Sequence, residues 1–190
     1  MIYIKDSEFI RGKCPMTKEE IRILSVAKMN LEDTSLVLDI GSGTGSITVQ
    51  AAKIVQSGKV LAIEKDDEAF GITKQNIEKF RCNNVKVLKN DASSVLDKLI
   101  SENVKFDSIF IGGSSGQLED IILKVNTLVH KGGTIVMNFI TLDNAYRAIE
   151  VMKKLEYSVD ISLINVSKNR GNTSMMIALN PIYIIQCIKI

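Results

Sequence analysis

The chain has 190 residues, enough for one domain with a sizeable core and too few for two ordinary ones. Its 45% hydrophobic and 24% charged residues describe a globular protein, no stretch approaches the ~18 unbroken apolar residues of a membrane span, and MIYIKDSEF lacks a signal-peptide pattern, so a cytoplasmic protein without a membrane partner is expected. A net charge of +2 and a pI near 8.3 fall short of the pI above ~9 that marks a nucleic-acid-binding domain, so no nucleic-acid partner is expected.

The segment Ser7 to Met16 has no useful period and sets Arg11 and Lys13 beside a Gly and a Pro, which reads as an N-terminal arm (1–16) on a single domain spanning 1–190. Thr17-Lys18-Glu19-Glu20 fits a capping box, in which the Thr hydroxyl and the Glu20 carboxylate each satisfy an orphan N–H. Apolar residues at helical spacing follow from Ile21. An apolar run then ends at Asp39-Ile40-Gly41-Ser42-Gly43-Thr44-Gly45-Ser46, after which a helical pattern starts at Ile47, within a helix expected over 46–56. This is a strand, a tight loop and a helix start. Glycine there tolerates positive φ and lets a ligand approach the main-chain N–H groups at the helix N-terminus. Because Ser46 stands where a dinucleotide fingerprint wants its last small residue, a nucleoside ligand other than a nicotinamide dinucleotide is expected. Asp39, just before the glycines, is suited to holding loop N–H groups as well as to touching the ligand.

The second strand, Lys59 to Ile63, ends in Glu64, about twenty residues past the glycines, where an acid is expected to hold ribose hydroxyls. The third, 85–88, leads to Asn90-Asp91-Ala92, so three strand ends offer Asp39, Glu64 and Asp91 to one edge. The alternation continues as helix 93–101, strand 106–111, helix 117–129, strand 133–138 and helix 143–155. Strand 106–111 runs into a second glycine-rich loop, Gly112-Gly113-Ser114-Ser115-Gly116, and His130 sits where a helix should stop, in a solvated rather than a catalytic position. After the last helix, 159–166 has strand alternation, 167–172 reads as a loop, 173–179 is ambiguous, and 181–188 is a closing strand. Two strands with no crossover between them should pair antiparallel. The expected fold is α/β and Rossmann-like, a mostly parallel seven-stranded sheet with helices on both faces and a terminal antiparallel pair. Cys14, Cys82 and Cys187 are odd in number and far apart, without metal-ligand spacing; they read as free thiols, and no metal is expected.

These features together resemble class I S-adenosylmethionine-dependent methyltransferases. Arg11 to Glu20, Asp39 to Ser46, Phe110-Ile111-Gly112-Gly113 and Asn180 to Ile185 further resemble the CbiT family of decarboxylating cobalt-precorrin-6B methyltransferases, over essentially the whole chain. The glycine loop identifies only the superfamily; the arm is the specific part. The resemblance implies methylation of carbon 15 of a cobalt-containing corrin precursor, with loss of the acetate carboxyl on carbon 12, in anaerobic cobalamin synthesis. It implies S-adenosylmethionine as methyl donor and a homotetramer. Around the donor it sets Thr17, the loop Gly41, Ser42, Gly43, Thr44 and Gly45 at the methionine end, Glu64 at the ribose diol, and Asp91 and Ala92 at the adenine. The second glycine loop, with Gly112 and Gly113, falls on the substrate side, where Ser114-Ser115 departs slightly from a Gly-Gly-Ser-Gly-Gly pattern.

A methyl sulfonium is already activated, so positioning and exclusion of water suffice and no protein nucleophile is needed. No Ser-His-Asp or Cys-His arrangement is visible. A tetrapyrrole rich in carboxylates calls for cations, and Arg11, Lys13, Lys168 and Arg170 are the candidates. The alternatives are a tRNA adenine methyltransferase, which should carry stronger basic stripes, and a non-catalytic methyltransferase-like scaffold subunit, which need keep neither the loop nor Glu64.

Overall fold

The computed structural model describes residues 3–113 and 116–190. Ser114 and Ser115, where the second loop departs from the family pattern, lie outside the described residues. After a 3₁₀ turn at Asp6–Glu8 come α1 (Glu19–Lys28), β1 (Leu36–Ile40), α2 (Ser46–Ala52), β2 (Lys59–Glu64), α3 (Asp67–Lys79), β3 (Val85–Lys89), α4 (Ala92–Ser101) and β4 (Phe106–Ile111). The second half runs through α5 (Leu118–Leu128), β5 (Val129–Phe139), α6 (Leu142–Lys154), β6 (Ser158–Ile164), β7 (Ser167–Asn169), β8 (Met176–Ala178) and β9 (Ile182–Ile188).

Seven strands form one sheet in the order β3-β2-β1-β4-β5-β9-β6. The strands β1 to β5 pair in parallel, and β9 pairs antiparallel with both β5 and β6, as expected of closing strands without a crossover helix. The strand period of two sorts β1 onto two cores: Leu38 and Ile40 face α4, α5 and α6, while Val37 faces α1 and α2. Burial on both sides explains why the central strands read as nearly unbroken apolar runs. From β1 the chain turns to β2 and β3 on one side, then crosses to β4 on the other. The carboxyl ends of β1 and β4 therefore form the switch point where such sheets hold ligands.

Four details differ from the sequence expectation. The N-cap of α1 is Lys18, not Thr17, and no side chain caps it; Glu20 instead bonds Lys168, so the capping box does not form. Helix α2 stops at Ala52 rather than near 56, because Asn84 Nδ2 donates to the Ala52 and Val55 carbonyls (3.0 and 2.7 Å) and satisfies the early end. Helix α5 gives way to β5 at Val129, and the exposed His130 lies in that strand rather than at a helix stop. Segments 167–172 and 173–179 contain a small antiparallel pair, β7 with β8.

Candidate active site

The loop after β1 turns on positive-φ glycines: Gly41 at 75° and Gly45 at 74°, the latter forming the left-handed N-cap of α2. At Gly41 any side chain is also excluded by space. A Cβ there would lie 2.9 Å from the Gly113 main-chain nitrogen, so the first and second glycine loops meet backbone to backbone. A Cβ on Gly45 would lie 3.0 Å from the Thr73 methyl, so this glycine seats the loop on α3, and it lines neither of the two cavities at this edge.

Glu64, at the end of β2, is 8% exposed and turned into the loop. Its Oε2 accepts the Gly43 N–H at 2.8 Å, and its Oε1 accepts the N–H groups of Lys65 and Asp66 at 2.8 and 3.0 Å. Holding a loop N–H, the structural role expected of Asp39, is thus done by Glu64. Asp39 accepts a hydrogen bond from the Thr48 hydroxyl on α2, and its other oxygen, Oδ1, is buried without a partner. Burial pushes the Asp39 carboxyl up to about 7, reinforced by the charge of Glu64 and opposed by the bond from Thr48.

A carboxyl that is neutral in the fold but ionises at 3.8 when unfolded stabilises most below pH 3.8, and this stabilisation is lost as pH rises through about 7. Wild type should therefore lose about 2–3 kcal/mol between pH 5 and pH 8 relative to Asp39→Asn. Denaturant unfolding of both proteins at the two pH values measures this; equal losses would contradict the neutral carboxyl.

Two cavities open at this edge and share Pro15, Gly41, Gly43 and Gly112. The smaller, 220 Å³, is lined by Ile63, Glu64, Asp91, Ala92, Gly113 and Gln117, among others. Asp91 also caps α4, accepting the Ser93 N–H at 3.0 Å. The larger, 370 Å³, is lined by Thr17, Lys18, Asp39, Ser42, Thr44, Phe110 and Asn138, with Phe139, Ile140, Val166 and Leu179 making much of its wall apolar. Thr44 is fully buried and its Oγ1 has no partner, so two polar atoms on this wall, Asp39 Oδ1 and Thr44 Oγ1, are left unsatisfied by protein. Such atoms are costly unless something bonds them, so they fit a polar ligand beside the glycine loop.

The structure thus gathers Thr17, Gly41, Ser42, Gly43, Thr44, Glu64, Asp91, Ala92, Gly112 and Gly113 around the two cavities. It does not bring the four predicted cations there. Arg11 faces Asp6 at 3.8 Å, the Lys13 main chain is tied to Glu68, Lys168 is held by Glu19 (3.1 Å) and Glu20 (2.6 Å), and Arg170 is exposed on the β7–β8 turn. Among the described residues, the cations lining the cavities are Lys18 in the larger and Lys65 in the smaller. Asn138 and Phe139 were also missed from sequence. They end β5, and only the sheet order that puts β5 beside β4 reveals that they face the ligand edge.

Comparison with known proteins agrees with this geometry. A family model described as a precorrin methyltransferase domain matches residues 8–188. A relative from Sulfurisphaera tokodaii named probable cobalt-precorrin-6B C(15)-methyltransferase (decarboxylating) is 43% identical over 186 residues, covering 96% of this chain and 95% of the relative. The crystal structure of a precorrin-6y C5,15-methyltransferase from Geobacter metallireducens superposes with a TM-score of 0.92 at 35% identity, over 100% of this chain and 98% of that one. That of a precorrin-8w decarboxylase from Methanobacterium thermoautotrophicum gives 0.89 at 29% identity, over 97% and 98%. With nearly its full length matched by the family model, and with the glycine loop, the acid after β2 and the closing antiparallel strands all in place, the chain belongs to the precorrin methyltransferase family.

Proposed function

We propose that this protein transfers a methyl group from S-adenosylmethionine to carbon 15 of cobalt-precorrin-6B and decarboxylates the acetate on carbon 12, a step of anaerobic cobalamin synthesis. The observation that carries the reading is the pair of confluent cavities at the switch point: a small one against Glu64, Asp91 and Ala92, and a larger, mostly apolar one, joined at Gly41, Gly43 and Gly112. Two ligands can meet in line where the cavities join. Neither the tRNA methyltransferase nor the scaffold alternative accounts for near-full-length relatives named for this reaction.

When bound, the donor supplies an electrophilic methyl on a sulfonium, so no nucleophile from the protein is needed. Glu64 would accept from the ribose diol, Asp91 and Ala92 would border the adenine, and Asp39 Oδ1 and Thr44 Oγ1 would meet polar groups of the methionine end. Gly45 would set the loop at the methionine end from its seat on α3. The apolar wall of the larger cavity would take the face of the macrocycle and exclude water, with Lys18 meeting one of its carboxylates. In the decarboxylation, the carbon–carbon bond to the carboxyl breaks, carbon dioxide leaves, the electron pair passes into the conjugated ring and a proton completes the new methyl.

The chain works as one methyltransferase domain. Among the described residues no helix is long and apolar enough to cross a membrane, and its three cysteines are free, which supports a reducing, cytoplasmic setting. Ile161 and Leu163 on the edge strand β6 and Met175, Met176 and Ile177 on the β7–β8 hairpin are 44–61% exposed, which supports self-association as a homotetramer; a monomer mass in sedimentation would sink that assembly.

Mass spectrometry of the tetrapyrrole after incubation with S-adenosylmethionine tests the function. A gain of one methyl with loss of carbon dioxide is expected, and a gain of methyl alone would remove the decarboxylating half. No methyl gain would refute the proposal.

A further inference from the structure

The N-terminal arm and the donor loop lie far apart in sequence, yet one face of α3 grips both. Asn76 is fully buried, and its Nδ2 donates to the carbonyls of Ile10 (2.9 Å) and Thr44 (2.8 Å). Its Oδ1 accepts the Ile10 N–H at 2.8 Å. A carboxamide carries two N–H donors and one strong acceptor, and here each is spent on the main chain of these two segments. One turn away, Thr73 donates to the Gly43 carbonyl at 2.8 Å and its hydroxyl lies 3.2 Å from that of Ser42. At the start of the same helix Glu68 Oε1 accepts the Lys13 N–H at 2.7 Å. The arm lies so close there that a Cβ on Gly12 would come within 2.3 Å of the Ile72 side chain. Past this grip the arm reaches Pro15, which lines both cavities, and then Thr17 and Lys18, which line the larger.

We infer that Asn76 is a positioning residue that couples the N-terminal arm to the donor loop, so that seating the arm beside the larger cavity and setting the glycine loop are a single equilibrium. The inference rests on the reading of the glycine loop as the donor site. Its physical basis is that the polar atoms of the fully buried Asn76 carboxamide must be paired, so neither Ile10 nor Thr44 can leave it without stranding one of them. Donor binding then orders the arm, and by reciprocity a substrate held against the arm tightens the donor. The loop would not close on the donor in isolation; it would bring the wall of the substrate cavity with it.

The test uses the full chain and S-adenosylhomocysteine as the probe, with hydrogen exchange of the Ile10 and Lys13 amides as the readout. In wild type the probe should slow exchange of both arm amides, although neither residue lines a cavity. In Asn76→Ala the probe should bind about tenfold more weakly, and its binding should leave Lys13 exchange unchanged. Because a buried carboxamide can be needed for folding, the exposed Glu68 provides a second arm. Glu68→Ala should weaken the probe several-fold, and Glu68→Gln, whose amide oxygen still accepts from Lys13, should restore it. Unaltered probe affinity in Glu68→Ala, or full transmission of protection to Lys13 in Asn76→Ala, would overturn the coupling. Wild type that fails to bind the probe overturns the donor-site reading and the coupling with it. Normal coupling in a protein that leaves the tetrapyrrole unmodified counts against the proposed reaction alone.

Discussion

Replacing Arg22 with alanine is expected to cost about 3–5 kcal/mol of stability, the range for breaking a buried ion pair from one side. Arg22 lies on α1 with none of its side chain exposed. Its Nη1 bonds Asp6 Oδ1 at 3.0 Å and the Thr17 carbonyl at 2.8 Å, its Nη2 bonds the Ile4 carbonyl at 2.6 Å, and its guanidinium lies 4.7 Å from the centre of the Phe9 ring. Alanine would leave the Asp6 carboxylate and two carbonyls without their donor, and would open a space beneath Ile4 and Phe9, both packed in the core. Arg22→Lys should recover little, since an ammonium cannot reach three acceptors and stack on a ring from one position. Because Arg22 pins the arm at both Ile4 and Thr17, the variant should also free the segment that carries Pro15 to the cavities. Denaturant unfolding reads the first effect and limited proteolysis within 3–17 the second. A loss below ~1 kcal/mol would show that Arg22 is not what holds the arm.

Replacing Glu64 with alanine should weaken S-adenosylmethionine binding by about 1.5–3 kcal/mol, the worth of a hydrogen bond to a charged group. Here the carboxylate has two duties. It faces the smaller cavity, where ribose hydroxyls would donate to it, and it accepts the N–H groups of Gly43, Lys65 and Asp66. Glu64→Ala removes both. Glu64→Gln keeps one acceptor oxygen, so it can serve Gly43 or the Lys65–Asp66 pair but not both, and it loses the charge. It should fall between wild type and alanine. Calorimetric titration of the three proteins decides the matter: equal affinities would exclude Glu64 from the donor site, and equal loss in both variants would point to the charge.

Much of the site was legible because it is built from local chemistry. Asp39 to Ser46 announces a strand, a turn needing positive φ and a helix start within eight residues, and Glu64 follows at the distance one β/α unit imposes. The closing strands were legible for a similar reason, since two strands without a crossover can pair only antiparallel. Where sequence reasoning failed, a distant partner won a local competition. Glu20 was expected to reach back to an N-terminal N–H of its own helix; it pairs instead with Lys168, which it meets only because β7 folds back over α1. The same contact removes Lys168 from the free cations. Asp39 was expected to hold loop N–H groups, but that duty fell to Glu64 on the neighbouring parallel strand, one step across the sheet.

By itself, then, the sequence determined the alternation of strands and helices, the glycine loop, the acid that ends β2 and the family. These depend on hydrophobic period, backbone conformation and spacing, which operate over a few residues. Only the tertiary structure decided that Arg22 is buried, that Asn76 joins the arm to the loop, and that Asn138 and Phe139 wall the larger cavity. The reason is physical: the partners of Arg22 and Asn76 are largely main-chain carbonyls and N–H groups, which every residue offers alike, so no side-chain pattern foretells them. Which carbonyl is within reach is settled when the sheet is ordered and the arm is laid against α1 and α3.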